Sequence, residues 1–380
     1  GAFVPEVHPE YILEFDPTTN QQFDEARGWV NSFRPTKFLK ATGLPLGVET
    51  HTTYGNALET VSKVAPAFYQ NIFHVLGSQH GEAEHFFNWL AFIMQKRDKT
   101  GTAWLFLGRS ATGKGLLFHK FFAKVFGEYA KIANTENLDD NFNSFLADAI
   151  IVFVDEFRGG DSRAESKLYS SLKSKISEAT APIRRMRKAM VNMKSYSNFI
   201  FSSNETDVLN FGDDDRRYNI GTRQETRIID AYGEDVPDRL MNEDELYKFC
   251  QLLNAHDVNE KKVQELIENE WRDQIRRNSL TAIQEFFDRV RVGDLDYFIE
   301  FIIYEPLNDD NERRHNAAKA IVFNWIRNMV SNYNYVSNAD LLAVYNTMND
   351  KPTTAPRFRK ALDREKFREC RPADKFGKRV

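Results

Sequence analysis

A glycine-framed loop that ends in a lysine is the part of this sequence best suited to chemistry. It reads Gly108-x4-Gly113-Lys114, which is the spacing of a Walker A loop. Glycines let the backbone curl so that several N–H groups point inward, and the N-terminus of a following helix adds a positive dipole. Lys114 would add a full charge for the β- and γ-phosphates of a nucleotide, so the predicted cofactor-binding residues are Gly108, Ser110, Ala111, Thr112, Gly113, Lys114, Gly115 and Leu116.

Gly115 departs from that motif, because serine or threonine is usual after the lysine and gives magnesium a hydroxyl ligand. Three consequences are open. Asp155 and water hold the ion, a nearby hydroxyl such as that of Thr112 or Ser110 compensates, or hydrolysis is weak. We expect an active ATPase in which Asp155 is the main ligand of Mg²⁺.

Polar residues follow two further apolar runs downstream. Asp155 and Glu156 end the run that starts at Ala149, and Asn204 ends the segment that starts at Ser197. The acidic pair has the pattern of a Walker B strand, in which Asp155 binds the metal and Glu156 polarises the attacking water. Asn204 is placed to sense the γ-phosphate. Taken alone, it would be a turn-forming residue after a strand.

Two arginines, Arg216 and Arg217, come about ten residues later, after three aspartates. Arginine can stabilise the charge of a phosphoryl-transfer transition state, commonly from a neighbouring subunit. A surface cluster of ion pairs is the alternative. We predict that at least one of the two is catalytic, together with Lys114, Asp155, Glu156 and Asn204.

A basic segment separates the acidic pair from Asn204. Five basic residues and no acidic one occur between Pro182 and Asn204: Arg184, Arg185, Arg187, Lys188 and Lys194. Such residues can grip phosphates without regard to base sequence. We predict that they bind DNA, and a solvated charged loop is the alternative.

The elements that must position these residues follow from hydrophobic patterning. Ala103–Leu107 is an apolar strand, and the apolar residues after Lys114 recur at helical spacing. The strand ahead of Asp155 is apolar throughout, which indicates burial on both faces of a parallel sheet. Ligands of such sheets bind at the carboxyl ends of the strands. The fold class is therefore α/β, a parallel sheet flanked by helices.

Composition narrows the class of protein. The 380 residues are 42% hydrophobic and 28% charged, as in a globular protein, and carry a net charge of −4. Only Cys250 and Cys370 occur, too few for a disulfide framework or a zinc site, so we expect a reducing cytoplasm. No apolar run is long enough to span a membrane, and no signal peptide is recognisable. The start at Gly1 suggests one portion of a longer protein.

Outside the motifs the sequence predicts mainly helices. They are expected near Gln21–Phe33, Asn56–Leu76 and Glu82–Arg97, and again across Glu243–Trp271, Thr281–Val290 and Arg314–Val330. A helix capped by Ser337 or Asn338 precedes a basic one that begins at Arg357. These two could form a winged-helix-like module near residues 336–370 that contacts DNA, or a helical packing domain.

The order of the motifs resembles that of superfamily 3 helicases, the compact AAA+ type of viruses, phages and plasmids, and most of all the C-terminal helicase portion of phage primase–polymerases. The resemblance covers roughly residues 82–235. It implies an AAA+ P-loop core at 82–235, a mostly helical head or collar at 1–81 and a helical tail at 236–380. In that family the stretch Lys173–Lys194 would hold a DNA-binding hairpin that turns near Arg187.

The resemblance also implies an activity and partners. An ATP- and Mg²⁺-dependent helicase would work as a homo-oligomeric ring, as a hexamer, in the host cell cytoplasm. It would thread single-stranded DNA and serve a fused or separate primase or polymerase. Two other readings stay open. One is a remodelling ATPase indifferent to DNA, against which the basic segment argues. The other is a ring scaffold with weak ATPase, which Gly115 keeps open.

Overall fold

The computed structural model describes residues 11–26, 28–135, 138, 143–157, 163–183, 191–205, 208, 215–278, 281–303, 309–330, 336–349, 352–365 and 367. The chain divides into two compact units, Gly1–Ser279 and Leu280–Val380. The boundaries predicted near residues 81 and 235 both lie inside the first unit. The three-part division itself stays a prediction.

The first unit holds ten strands in the described residues: β1 (Ile12–Glu14), β2 (Phe23–Asp24), β3 (Trp29–Asn31), β4 (Ala103–Leu107), β5 (Ala130–Ala133), β6 (Ile151–Val154), β7 (Thr180–Ile183), β8 (Val191–Lys194), β9 (Asn198–Ser203) and β10 (Tyr218–Ile220). Its helices in the same residues are α1 (Ala57–Val64), α2 (Pro66–Val75), α3 (His80–Lys96), α4 (Lys114–Leu116), α5 (Ala123–Phe126), α6 (Arg163–Ser177), α7 (Ile228–Tyr232), α8 (Val236–Arg239), α9 (Glu243–Ala255), α10 (Glu260–Gln264) and α11 (Glu270–Asn278). A π-helical turn, Leu117–Phe122, joins α4 to α5. Short 3-10 turns lie at Gly127–Tyr129 and Ser144–Asp148.

A five-stranded parallel sheet forms the centre of this unit. Its strand order is β10-β4-β9-β6-β5, and every neighbouring pair is parallel. The three inner strands are buried along their whole length, which explains their continuous apolar sequences. The predicted α/β class with a parallel sheet flanked by helices is confirmed.

Side chains on the two faces of β4 belong to two different apolar clusters. Trp104 and Phe106 pack on Phe86 of α3, with ring centroids 5.1 and 5.3 Å away. Leu105 and Leu107 point into the second cluster, which includes Leu172 of α6. Because alternate residues of a strand face opposite sides, helices on both faces are needed to cover this one strand.

The segment before α1 differs from expectation. The helix predicted near Gln21–Phe33 is wrong, because β2 and β3 pair there in a small sheet of order β1-β3-β2. The buried Asn31 side chain accepts from the Asp16 and Phe33 backbone N–H groups and donates to the Asp16 carbonyl. These bonds hold the chain in turns that a helix could not make.

The other predicted helices are present, with shifted ends. Asn56–Leu76 is divided into α1 and α2 because Pro66 starts a new helix. Glu82–Arg97 corresponds to α3, and Glu243–Trp271 contains α9 and α10 and the start of α11.

The second unit is helical in its described residues. It contains α12 (Ala282–Val292), α13 (Leu295–Ile303), α14 (Asp309–Val330), α15 (Asn338–Met348) and α16 (Ala355–Arg364). Ser337 is the N-cap of α15, since its hydroxyl accepts from the Asp340 N–H at 3.0 Å. The described residues of this unit contain no strand that could form the wing of the predicted winged-helix-like module.

In neither unit do the described residues include a helix that is both long and apolar enough to cross a membrane.

Candidate functional site

A cavity of about 360 Å³ opens at the carboxyl ends of β4, β6 and β9. This is the edge of a parallel sheet at which ligands are generally bound. Every predicted cofactor-binding residue except Gly108 lines it, as do Asp155, Glu156 and Asn204. The full lining is Ser110, Ala111, Thr112, Gly113, Lys114, Gly115, Leu116, Asp155, Glu156, Ser202, Ser203, Asn204, Ile228 and Ile229.

The Lys114 ammonium lies inside the curl of its own loop. Its Nζ donates to the carbonyl oxygens of Gly108 at 2.6 Å and Arg109 at 2.9 Å. It also lies 3.2 Å from Thr112 Oγ1 and 3.1 Å from Asn204 Oδ1. Only 7% of the residue is exposed. The positively charged Lys114 ammonium is therefore surrounded by neutral oxygen atoms at the bottom of the cavity.

Burial lowers the pKa of Lys114 to about 8. The negative charge of Asp155 partly offsets this, and the positive charge of Arg223 adds to it. Because the neighbourhood does not fully neutralise the ammonium, an anionic ligand would stabilise its charged form. The site is electrostatically prepared for an anion.

Asp155 and Glu156 follow β6 directly, as predicted. Asp155 Oδ1 accepts from the Ser202 hydroxyl at 3.1 Å and from the Glu156 N–H at 3.0 Å. Glu156 has φ of +47°, a conformation that is costly for a residue with a Cβ. Its carboxylate is exposed at the cavity while that of Asp155 is held against β9.

Asn204 comes immediately after β9, and its side chain points toward Lys114 as described. Its backbone carbonyl accepts from Arg223 Nη1 at 2.7 Å. The Arg223 side chain is only 14% exposed and also pairs with Glu225. Sequence reasoning missed Arg223, because it is one arginine of several beyond the last motif.

The segment Thr222–Ile229 supports the glycine loop through backbone hydrogen bonds. The Arg109 N–H donates to the Gln224 carbonyl at 3.0 Å, and the Ile228 N–H donates to the Ala111 carbonyl at 3.0 Å. A Cβ on Gly108 would lie 2.8 Å from the Gln224 carbonyl oxygen, so this close approach needs glycine. No sequence motif marks this contact.

Helix α2 braces the same loop through Asn71. This residue is 1% exposed, and its Nδ2 donates to the Gly113 carbonyl at 3.2 Å. Gly113 has φ of +94°, and a Cβ there would lie 2.6 Å from Asn71 Nδ2 and 2.9 Å from Ile228 Cδ1. Gly115 is different, since a Cβ would meet nothing within 4 Å.

The two predicted hydroxyl substitutes for the position of Gly115 are not equivalent. Thr112 is 1% exposed, and its hydroxyl donates to the Arg109 carbonyl at 3.0 Å. Ser110 is exposed and lines the cavity. Of the two, Ser110 has the freer approach to a bound ion.

Arg216 and Arg217 lie away from this cavity within one chain. They precede β10, and the Arg217 carbonyl accepts from the N–H of Ala103, the first residue of β4. The cavity is at the other end of β4. Arg217 also donates to the Ser177 hydroxyl at 2.7 Å and pairs with the buried Asp215 at 3.5 Å, whereas Arg216 is exposed.

The basic segment is bounded by an antiparallel strand pair. Thr180 pairs with Lys194 and Ile183 with Val191 in β7 and β8, as the predicted hairpin requires. Lys194 ends β8, exposed, with its Nζ 4.6 Å from the centroid of the Tyr196 ring. The other four predicted DNA-binding residues, Arg184, Arg185, Arg187 and Lys188, lie outside the described residues.

Comparison with known proteins adds a relationship to this geometry. A family of unknown function, DUF5906, matches residues 106–217. That range contains the glycine loop, the acidic pair, the basic segment and Asn204. The chain is also 27% identical over 300 residues to the DNA primase-polymerase of Nitratiruptor phage NrS-1. The chain is homologous to a phage DNA primase-polymerase.

The match to that relative covers 77% of this chain and 38% of the relative, so the chain spans well under half the relative's length. Two apo structures of the C-terminal region of NrS-1 share the fold, with TM-scores of 0.67 and 0.65. In both, the likeness covers 92% of this chain and 79% of the solved chain at 22% identity.

Proposed function

We propose that the cavity binds ATP with Mg²⁺ and hydrolyses it in the service of phage DNA replication. One observation carries the proposal. A buried lysine from the end of the glycine loop lies 3.1 Å from Asn204 Oδ1, beside the acidic pair that ends the neighbouring strand. Those residue types at adjacent strand ends are what phosphoryl transfer requires.

The residues of the chain fit this role one by one. Lys114 and the loop N–H groups would hold the β- and γ-phosphates, and binding would return the ammonium to its fully charged state. Asp155, oriented by the Ser202 hydroxyl, would hold Mg²⁺ directly or through water. The ion would neutralise phosphate charge. Glu156, exposed at the mouth of the cavity, would orient the attacking water, and Asn204 would contact the terminal phosphate.

The placement of Arg216 and Arg217 supports an assembly. In one chain they lie at the far end of β4 from the cavity, so neither completes its own site. An arginine supplied by a neighbouring subunit would complete it, as in a ring with AAA+ architecture. We propose a homo-oligomeric ring, most simply a hexamer, with AAA+ cores of the superfamily 3 type.

DNA is the proposed partner for two reasons. The homologous protein is a DNA primase-polymerase, and the basic segment carries four cations between β7 and β8 and a fifth, Lys194, at the end of β8, without an acid. Contacts of this kind favour phosphates irrespective of sequence, as a translocating motor needs. We propose that the ring threads single-stranded DNA and unwinds duplex for a linked primase or polymerase.

A second function is favoured by Gly115. Without a hydroxyl at this position, the metal depends on Asp155 and on the exposed Ser110 hydroxyl, because the Thr112 hydroxyl is engaged with the Arg109 carbonyl. The chain would then bind nucleotide to organise a ring and hydrolyse it slowly, as a scaffold for the polymerase.

The experiment that tests the site compares Lys114→Ala with Lys120→Ala, which removes the same charge from the helical turn just beyond the loop. ATP hydrolysis and binding of a fluorescent ATP analogue are measured on both. We expect Lys114→Ala to lose hydrolysis while keeping its fold by circular dichroism, and Lys120→Ala to behave as the wild type. A normal rate in folded Lys114→Ala would refute the site.

A further inference from the structure

The second unit has a basic helical face that the proposed ATP site does not use. Helix α16 carries Arg357, Lys360 and Arg364, all exposed. No ion pair joins any of the three to another described residue of the chain. The full stretch from Arg357 to Val380 has ten basic residues and four acidic ones.

These three side chains lie on one side of the helix. At about 100° per residue, positions 357, 360 and 364 fall within an arc of about 60°. Phe358 and Leu362, 1% and 5% exposed, lie on the opposite side and pack into the core of this unit. The basic face therefore points outward because the apolar side is held inward.

The helix is fixed firmly enough to present that face. The Phe358 ring packs on Phe287 and Tyr345, with centroids 4.9 and 5.7 Å away. In the turn before α16, the Asn346 side chain donates to the Thr353 carbonyl at 3.0 Å and accepts from its N–H at 2.7 Å. These contacts hold α15 and α16 in one arrangement, so the three charges keep fixed spacing.

We propose that this face of α16 binds the phosphate backbone of duplex DNA without regard to sequence. From Arg357 to Arg364 the helix rises about 10.5 Å, at 1.5 Å per residue. Phosphates of one strand recur about every 3.4 Å along a duplex, so the three cations span about three phosphates. A rigid helix suits the regular array of a duplex better than a flexible single strand.

This site is independent of ATP binding. It would give the chain a hold on the unopened duplex, separate from the basic segment proposed to meet the single strand. The two contacts are distinguished by the form of DNA that each binds.

The test uses the whole 380-residue chain without nucleotide. Binding to a blunt 30-base-pair duplex and to a 30-nucleotide single strand is measured by fluorescence anisotropy over a salt series. The variant is Arg357→Gln/Lys360→Gln/Arg364→Gln. The matched control, Arg313→Gln/Arg314→Gln/Lys319→Gln, removes the same charge from α14 in the same unit.

The plot of log association constant against log salt has a negative slope for duplex. We expect this slope to become shallower by about 2.7 in the variant, or about 0.9 per lost phosphate contact. Over a fourfold rise in salt, the wild type then loses about 40-fold more affinity than the variant. The control should keep the wild-type slope, and ATP hydrolysis without DNA should be unchanged in all three proteins.

An unchanged duplex slope in the variant, or an equal loss in the control, would overturn the proposal. So would a loss confined to the single strand. Because the duplex measurement needs no nucleotide, it stays readable even if the wild type proves unable to hydrolyse ATP.

Discussion

Lys114 Nζ and Asn204 Oδ1 lie 3.1 Å apart, although 90 residues separate them along the chain. The contact joins the end of the glycine loop to the end of β9, whose Ser203 pairs in register with Leu107 of β4. Parallel pairing of β4 with β9 brings the two together. A γ-phosphate bound in the cavity beside this pair would be within reach of both side chains.

The lowered pKa of Lys114 predicts that nucleotide affinity depends on pH. Burial lowers this pKa to about 8, and a bound polyphosphate would raise it again. Below pH 8 the free protein already carries the proton, so affinity is at its maximum. Above pH 8 binding must take up a proton, and the dissociation constant should rise about tenfold per pH unit. Isothermal titration calorimetry in buffers of different ionisation enthalpy measures both effects.

The control for this prediction is Lys114→Met, which should bind more weakly but lose this pH dependence. A wild-type affinity that stays flat from pH 7 to 10 would show that the Lys114 ammonium of the free protein does not titrate in this range, and would contradict the prediction.

Gly115→Ser should strengthen the metal site. A Cβ there meets nothing within 4 Å, so the side chain can enter without strain. Its hydroxyl would supply the ligand that the glycine lacks. We expect half-maximal ATP hydrolysis at a several-fold lower Mg²⁺ concentration, measured by steady-state titration of the metal. Gly115→Ala adds the Cβ without the oxygen and should leave the Mg²⁺ requirement as it is. Equal behaviour of both variants would mean that this position does not face the ion.

Gly113→Ala should destabilise the fold, whereas Gly115→Ala should not. The new Cβ would crowd Asn71 Nδ2 and Ile228 Cδ1 at a φ of +94°. A left-handed conformation costs an alanine about 1 to 2 kcal/mol, and the contacts add to it. Urea unfolding of the two variants measures the difference. Adding Asn71→Ala to Gly113→Ala should recover part of the loss, because it removes one of the two crowding groups. Strictly additive effects of the two substitutions on the free energy of unfolding would contradict the contact between Asn71 of α2 and the glycine loop.

The parts of this site that the sequence predicts are those set by local pattern. Continuous apolar runs identify β4, β6 and β9, and polar residues after them identify Lys114, Asp155, Glu156 and Asn204. Parallel pairing then gathers those residues at one edge without further information.

The parts that the sequence does not reveal depend on contacts across long separations. Asn71 of α2, Gln224 and Arg223 support the loop and the Asn204 turn through backbone carbonyls. A bond to a backbone carbonyl requires no particular partner residue and leaves no motif. The helix predicted near Gln21–Phe33 is wrong for a related reason. The side-chain hydrogen bonds of Asn31 decide the conformation there, and the segment forms the strands Phe23–Asp24 and Trp29–Asn31.

The most direct test of the central claim is steady-state ATP hydrolysis with and without single-stranded DNA, on the wild type and on Glu156→Gln, with oligomeric state determined in the same samples. The substitution keeps the shape of the side chain at its positive φ while removing the charge that would orient water. We predict hydrolysis that single-stranded DNA stimulates in an oligomeric wild type, and loss of that activity, without loss of ATP binding, in Glu156→Gln. Hydrolysis in Glu156→Gln at the wild-type rate would contradict the role of Glu156 in the site. A wild type that binds ATP yet hydrolyses little with or without DNA would contradict the motor and favour the scaffold.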